Sequence, residues 1–120
     1  MTTQYVLLLT TLEECLTPER VARWAGRQQA IDTIGFGCSP RLNPFASYLA
    51  EYTGLAWHVT HEKASLLGSP FLAYPLPEWV GQCLMALDTF TGGRRYSITA
   101  SQFVSIFDQT MSPQRQEVAR

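Results

Sequence analysis

Residues 43–54, NPFASYLAEYTG, give the clearest helix signal in the chain and set the expectation for its fold. Asparagine followed by proline is typical of a helix start, because asparagine caps the free N–H groups and proline fits the first turn. Apolar side chains then recur at the helical spacing i, i+3, i+4 and i+7, at Phe45, Tyr48, Leu49 and Tyr52. Gly54 follows, where a left-handed C-cap belongs. The stretch predicts a helix with one apolar face, which other elements must bury.

Similar start signals stand before three other stretches with apolar residues at helical spacing. They are Thr17-Pro18 before residues 21–28, Pro77-Glu78 before residues 79–90, and the capping box TASQ (99–102) before residues 103–107. Residues 5–16 are densely apolar and are predicted as a short helix. A strand over residues 5–9 is the alternative, because periodicity does not separate the two in a short run.

The stretches between these helices contain the strand and loop signals. Residues 55–60, LAWHVT, are rich in aromatic and β-branched side chains and predict a short strand. Residues 64–74 predict a second strand or an ordered loop, residues 96–98 a third small strand, and residues 31–42 a loop broken by glycine and proline. The expected fold class is mainly α: a small bundle of four or five short helices with a two- or three-strand ribbon, α+β at most.

Composition indicates one soluble domain. The chain has 120 residues, of which 46% are apolar, and this is enough for one core. We expect a single compact domain over residues 1–110 and a flexible polar tail over residues 111–120. Three widely spaced cysteines without a CxxC pair fit reduced thiols, and the N-terminus lacks the basic start of a signal peptide. Since no segment approaches the ~20 apolar residues that span a bilayer, we expect a cytoplasmic protein without membrane contact.

The charge balance disfavours nucleic acid as a partner. Nine basic and ten acidic residues give a formal net charge of −1, so the whole chain lacks the basic footprint of nucleic-acid-binding domains. A small nucleic-acid-associated regulator stays open as an alternative. Its phosphate contacts would be Arg20, Arg23, Arg27, Arg94 and Arg95. A continuous arginine face in the folded molecule would favour this alternative, and scattered arginines would not.

A second alternative is a small enzyme using Cys38 or His58. Cys38 lies in a glycine-rich loop, and a nucleophilic thiol there needs a base, for which His58 or His61 is available. A buried structural cysteine is the preferred interpretation. His58 and His61 are three positions apart, so on a strand their rings point to opposite faces and do not share a metal ion. We favour a protein without catalytic residues, metal or cofactor.

Residues 92–95, GGRR, follow the helix that begins at Pro77. Two free backbone N–H groups and two guanidinium groups in this segment could together bind a phosphate. The stretch lacks the lysine and hydroxyl residues of a P-loop, so the preferred interpretation is a helix end followed by a solvated turn.

Aromatic residues concentrate in one third of the chain, interleaved with prolines. Tyrosine, tryptophan and arginine are enriched at the energetic centres of protein interfaces. Most of these rings must fill the core of so small a domain, and two or three are expected in an exposed patch. The predicted interaction residues are Tyr52, Trp57, Tyr74, Trp79, Arg94 and Arg95.

Several stretches together resemble a group of small uncharacterised proteins encoded by actinobacteria, other bacteria, phages and mobile elements. Residues 43–49, NPFASYL, are similar to their Cys-Pro-Leu/Ile-Ala-x-Tyr-Leu segment, with Asn43 in place of the cysteine. Residues 76–80, LPEWV, and residues 98–100, ITA, are similar to two of their helix starts, and Asp88 matches an aspartate between them. The resemblance implies a bacterial or phage accessory protein and no known activity.

These observations favour a non-enzymatic module that docks on a protein partner or on a second copy of the chain. A phage-type inhibitor of a host defence complex is one concrete version, because such proteins are small, soluble and free of cofactors.

Overall fold

The computed structural model describes the backbone of residues 3–119 and the side chains of residues 6–69 and 72–112. Its helices are α1 (Thr3–Cys15), α2 (Pro18–Gly26), α3 (Pro44–Thr53), α4 (Glu78–Phe90) and α5 (Ala100–Ala119). Its strands are β1 (Thr33–Phe36), β2 (Trp57–Val59), β3 (Lys63–Leu66), β4 (Ser69–Pro75) and β5 (Ser97–Thr99). The strands form two antiparallel sheets, β1–β5 and β2–β3–β4, so the fold is α+β.

The helices begin and end where the capping residues predict. The Asn43 side chain accepts a hydrogen bond from the backbone N–H of Ala46 at 2.8 Å, and Thr17 caps α2 in the same way. Gly54 ends α3 with a φ of +73°, in the left-handed region that favours glycine. The four helices predicted to begin near residues 17, 43, 77 and 99 are confirmed.

The N-terminal segment, for which helix and strand were both open, is helix α1. Its Leu12 and Cys15 are fully buried, and it packs against α3 and β4. The Tyr48 hydroxyl of α3 donates a hydrogen bond to the Cys15 carbonyl at 2.5 Å, which ties the end of α1 to α3. Toward its beginning, Val6 and Leu7 remain exposed.

The predicted loop over residues 31–42 contains strand β1, and this part of the prediction is wrong. Strand β1 pairs with β5, which lies far along the chain, so no local pattern indicates the pairing. Gly35 allows β1 to approach the start of α3, because a Cβ at this position would stand 2.6 Å from the backbone nitrogen of Pro44. The helical bundle with a single ribbon is thereby corrected to a fold with two small sheets.

The three-stranded sheet lies between α3 and α4, where the ribbon was expected. Strand β2 falls within the predicted segment 55–60. The segment 64–74, predicted as one strand or a loop, contains the hairpin of β3 and β4 instead. Gly68, with a φ of +88°, forms the turn between these two strands.

The buried apolar side chains form one cluster, to which α2, α3, α4 and α5 all contribute. The Phe103 ring of α5 lies 5.7 Å from the Phe45 ring and 6.2 Å from the Trp24 ring, edge-on to both. Trp24 also meets Tyr48 edge-on, with ring centroids 5.2 Å apart. These contacts fix α2 against α3 and so position the groove between them.

Helix α5 continues to Ala119 and contains most of the predicted tail, residues 111–120. Met111 is 6% exposed and belongs to the core, so the packed part of the chain extends past residue 110. The flexibility of the remaining tail stays a prediction. Within the described backbone, no helix combines the length and the apolar character that crossing a membrane requires.

Candidate functional site

The first candidate site is a cleft of about 520 Å³ between α2 and α3, which we call the arginine cleft. It is lined by Arg20, Arg23, Trp24 and Arg27 from α2 and its C-cap, and by Tyr48, Glu51 and Tyr52 from α3. Helical spacing explains this composition. Val21 and Ala25 are buried in the core, so the arginines lie on the other side of the same helix, exposed to solvent.

Two short hydrogen bonds order the walls of the arginine cleft. The Arg20 guanidinium donates to the Tyr52 hydroxyl at 2.6 Å, and the Trp24 indole N–H donates to the Glu51 carboxylate at 2.6 Å. Among the described side chains, no carboxylate lies within ion-pair distance of the guanidiniums of Arg20, Arg23 or Arg27. The cleft therefore holds three arginines that make no ion pair with a described side chain, and its one described carboxylate, Glu51, is hydrogen-bonded to Trp24.

A shallower groove of about 280 Å³ extends the arginine cleft toward the β1–β5 sheet. Trp24 and Glu51 line both, and the groove continues to Phe36 and Leu42. The Arg95 guanidinium lies over the Phe36 ring, 5.7 Å from its centroid, in a cation–π contact. Arg95 thus lies beside the Phe36 end of the connected surface, and the arginines of the cleft lie at its other end.

The predicted interaction residues divide between this surface and the core. Tyr52 is 47% exposed in the arginine cleft, and Arg94 and Arg95 are exposed near β5. Trp57 is 1% exposed and its indole N–H donates to Thr53, so the prediction of a surface role is corrected: this ring fills the core.

The other two predicted aromatic residues are half-buried. The Trp79 ring meets the rings of Phe45 and Phe107 edge-on, 6.0 Å from each. Burial raises the pKa of Tyr74. Both side chains pack against the core cluster, because a domain of this size needs its large rings inside.

The GGRR segment, residues 92–95, does not offer free backbone donors. Gly92 and Gly93 have positive φ values of 68° and 74° and end α4. Their N–H groups donate to the carbonyls of Thr89 and Asp88 at 3.0 Å. The preferred interpretation, a helix end, agrees with this geometry, and a phosphate nest formed by these two amides does not.

The second candidate site is a cleft of about 580 Å³, which we call the Cys38 cleft. Its lining residues come from the loop after β1, the start of α3, the β2–β3 turn and α4: Cys38, Ser39, Pro40, Asn43, Val59, Thr60, His61, Glu62, Lys63 and Asp88. A Cβ at Gly37 would overlap the Thr91 side chain, so the loop before Cys38 lies directly on the end of α4.

Asp88 connects the parts of this cleft. One carboxylate oxygen accepts a hydrogen bond from the Cys38 backbone N–H at 2.8 Å, and the other lies 2.7 Å from His61 Nε2. Cys38 has a φ of +54°, the only positive value at a non-glycine residue of the described backbone. This conformation costs on the order of 1 kcal/mol, which the surrounding contacts must offset.

Cys38 is exposed, so the interpretation as a buried structural cysteine is corrected. The buried thiols are Cys15 and Cys83, and burial raises their pKa values to about 11 and about 12. His58 is half-buried on β2 and does not line the Cys38 cleft, whereas His61 does. No group of three or more potential metal ligands occurs among the residues that the structure describes.

Sequence reasoning missed Asp88 as a site residue and Glu51 as the partner of Trp24. Asp88 is one of several isolated acidic residues, and only the folded chain brings it to Cys38 and His61. Glu51 lies within the helix predicted over residues 43–54, so the sequence predicts its helical position. The sequence does not predict its hydrogen bond to the Trp24 indole.

The chain matches no protein-family model, and it is not detectably similar to any curated protein or to any solved structure.

Proposed function

We propose that this protein is a docking module that binds an acidic segment of a partner protein in the arginine cleft. The grouping of Arg20, Arg23 and Arg27 around one cleft, with no described carboxylate in ion-pair contact, carries the proposal. Like charges held close together repel one another, and an anionic ligand removes that repulsion. A carboxylate-rich segment is therefore the complementary occupant.

The chemistry of the walls supports a peptide ligand. The guanidinium group binds a carboxylate through two parallel hydrogen bonds, which gives orientation as well as affinity. Tyr52 and Trp24 add aromatic surface beside these charges, and arginine, tyrosine and tryptophan are the residues that dominate interface energetics. The Arg20 side chain is already held by Tyr52, so binding costs it less conformational entropy.

Nucleic acid is the competing anionic partner. The connected surface toward Phe36 and Arg95 would suit a stacked base and a phosphate. The formal net charge of −1 and the Glu51 carboxylate in the cleft both weaken attraction for a long phosphate backbone. An acidic protein segment is the better match, and an oligonucleotide is an outcome of the test.

The resemblance of residues 43–49 and 76–80 to bacterial and phage accessory proteins supports an accessory role of this kind for the docking module. An inhibitor of a host defence complex is one role of this kind, because it needs a binding surface and no catalytic group.

The test measures binding of a fluorescent glutamate-rich peptide by anisotropy. The double variant Arg23→Glu/Arg27→Glu reverses two charges in the cleft. The matched control is Arg41→Glu/Lys63→Glu, because it changes the net charge equally and both residues are exposed outside the arginine cleft. We expect the cleft variant to lose about tenfold or more in affinity, since a hydrogen bond to a charged group contributes ~1.5–3 kcal/mol. The control variant should bind as the wild type does.

Equal losses in both variants would reduce the effect to net charge and contradict the proposal. Tighter binding of a single-stranded oligonucleotide, abolished in the same double variant, would assign the cleft to nucleic acid. A dimer detected by light scattering and dissolved by Arg23→Glu/Arg27→Glu would identify a second copy of the chain as the occupant.

A further inference from the structure

Cys38 differs from the other two cysteines in its surroundings. Cys15 and Cys83 are buried, and burial keeps both thiols protonated at neutral pH. Cys38 is exposed at the edge of a cleft, in a backbone conformation that only this non-glycine residue of the described chain adopts. A reagent that enters the cleft therefore meets one accessible thiol.

The Asp88 carboxylate determines which nitrogen of His61 carries the proton. An ionised carboxylate only accepts hydrogen bonds, so the Nε2 atom 2.7 Å away is the protonated one in the neutral ring. The lone pair is then on Nδ1, the nitrogen that Asp88 does not contact. An imidazole held in this tautomer by a carboxylate is suited to act as a base.

The same carboxylate also positions the thiol. Its second oxygen accepts from the Cys38 backbone N–H at 2.8 Å, so Cys38 and His61 are held by the two oxygens of one side chain. The thiol sulfur lies 4.0 Å from the Thr91 hydroxyl. Catalytic hydrogen bonds are often long without substrate and tighten when it binds, so the reaction proposed for this cleft includes an approach of the thiol to His61 on substrate binding. The other titratable groups lining the cleft are Glu62 and Lys63.

We propose that the Cys38 cleft is an acyl-transfer site, in which Cys38 accepts the acyl group of a small ester or thioester. Cys38 is the nucleophile, His61 is the base, and Asp88 is a positioning residue that acts through both. The inference does not depend on the arginine cleft, with which the Cys38 cleft shares no lining residue.

The chemical step balances without an external oxidant or reductant. The Cys38 thiol transfers its proton to His61 Nδ1, and the sulfur forms a bond to the acyl carbonyl carbon. The bond from that carbon to the alcohol oxygen or the thiol sulfur breaks. The leaving group takes the proton from His61, so that the products are an S-acyl Cys38 and a free alcohol or thiol.

The experiment follows S-acetylation of the full chain by para-nitrophenyl acetate, with peptide mass spectrometry to locate the acetyl group. Wild-type protein should be acetylated at Cys38 and not at Cys15 or Cys83. The rate should rise with pH, because only the neutral imidazole accepts the thiol proton. His61→Gln should slow the reaction about 100-fold at neutral pH and change the pH dependence of the rate, because the base is removed.

Two further variants separate chemistry from folding. His58→Gln removes the other histidine and should leave both the rate and the pH profile unchanged. Asp88→Asn keeps an acceptor for the Cys38 N–H but presents an amide donor to His61. The ring then changes tautomer, and the pH profile should resemble that of His61→Gln even if stability is unaltered.

An unchanged rate and pH profile in folded His61→Gln would overturn the proposal, because Cys38 would then react only as an exposed thiol. Acetylation of Cys15 or Cys83 at the same rate as Cys38 would overturn it as well.

Discussion

The arginine cleft and the Cys38 cleft are assembled in opposite ways. The arginine cleft takes its basic side chains from residues 20–27, so their grouping follows from the spacing of one helix and its C-cap. The Cys38 cleft joins the loop after β1, the β2–β3 turn and α4, which are distant along the chain. A local pattern is enough to position a charged surface, whereas the cluster of thiol, imidazole and carboxylate depends on tertiary packing.

The largest expected effect concerns the backbone packing behind the Cys38 cleft. Gly81 of α4 lies against the His61 carbonyl, and a Cβ there would overlap that oxygen. Gly81→Ala should lower the free energy of unfolding by about 3 kcal/mol, because a backbone oxygen cannot rotate away. Gly26→Ala at the end of α2 is the matched control, since no atom lies within 4 Å of its added Cβ.

Urea denaturation of both variants measures this difference. Gly26→Ala should be neutral or stabilising by up to ~1 kcal/mol, because alanine has the higher helix propensity. Equal stability of the two variants would show that the contact between Gly81 and the His61 carbonyl does not constrain the fold. The Cys38 cleft would then not depend on tertiary packing at this place.

The second expected effect is a dependence of stability on pH that comes from the buried thiols and not from Cys38. Burial raises the pKa of Cys83 from 9.0 to about 12 and that of Cys15 to about 11. Because folding raises these pKa values, the stabilisation is complete below about pH 9 and is lost as the pH rises toward 11 and 12. Each of the two thiols should lower the free energy of unfolding on the order of 2 kcal/mol between about pH 9 and about pH 11.

Variants show which thiol causes the loss of stability at alkaline pH. Cys83→Ala should flatten the dependence of stability on pH, and Cys38→Ser should leave the slope as it is in the wild type. The same slope in all three proteins would show that Cys83 does not contribute to the loss.

The smallest expected effect compares two helix caps. Thr17 caps α2, whereas Asn43 caps α3 and also donates a hydrogen bond to the Val59 carbonyl at 2.9 Å. Thr17→Ala should cost about 1 kcal/mol and Asn43→Ala about 2 kcal/mol, because the second leaves a buried carbonyl without its donor. Thermal or urea unfolding checks this, and equal costs would mean that the contact between α3 and β2 contributes nothing measurable.

Helix positions were predictable from the sequence because their signals are local. Asn43, Gly54 and the arginine spacing of α2 act over one or two turns, and the structure confirms the helices that they predict. Strand β1 was not predictable, because its partner β5 is remote and because the role of Gly35 depends on contact with Pro44.

The candidate sites follow the same division. The exposed side of α2 follows from the helical spacing of its apolar residues. Tyr52 is exposed, and its role as an interaction residue stays a prediction. A core role for Trp57 and the pairing of Asp88 with His61 could not be read, since each depends on which segments meet. The sequence alone does not show which residues an aromatic ring or a carboxylate contacts in the folded chain.

The most direct test of the docking function uses the indole N–H signals of the protein in a ¹⁵N-labelled NMR titration with the glutamate-rich peptide. The Trp24 indole N–H is bonded to Glu51 in the arginine cleft, whereas that of Trp57 is bonded to Thr53 and its ring is in the core. Binding in the cleft should shift the Trp24 signal in a saturable manner and leave the Trp57 signal in place. A saturable interaction that leaves the Trp24 signal unmoved, or no interaction at all, would contradict the assignment of the arginine cleft as the docking site.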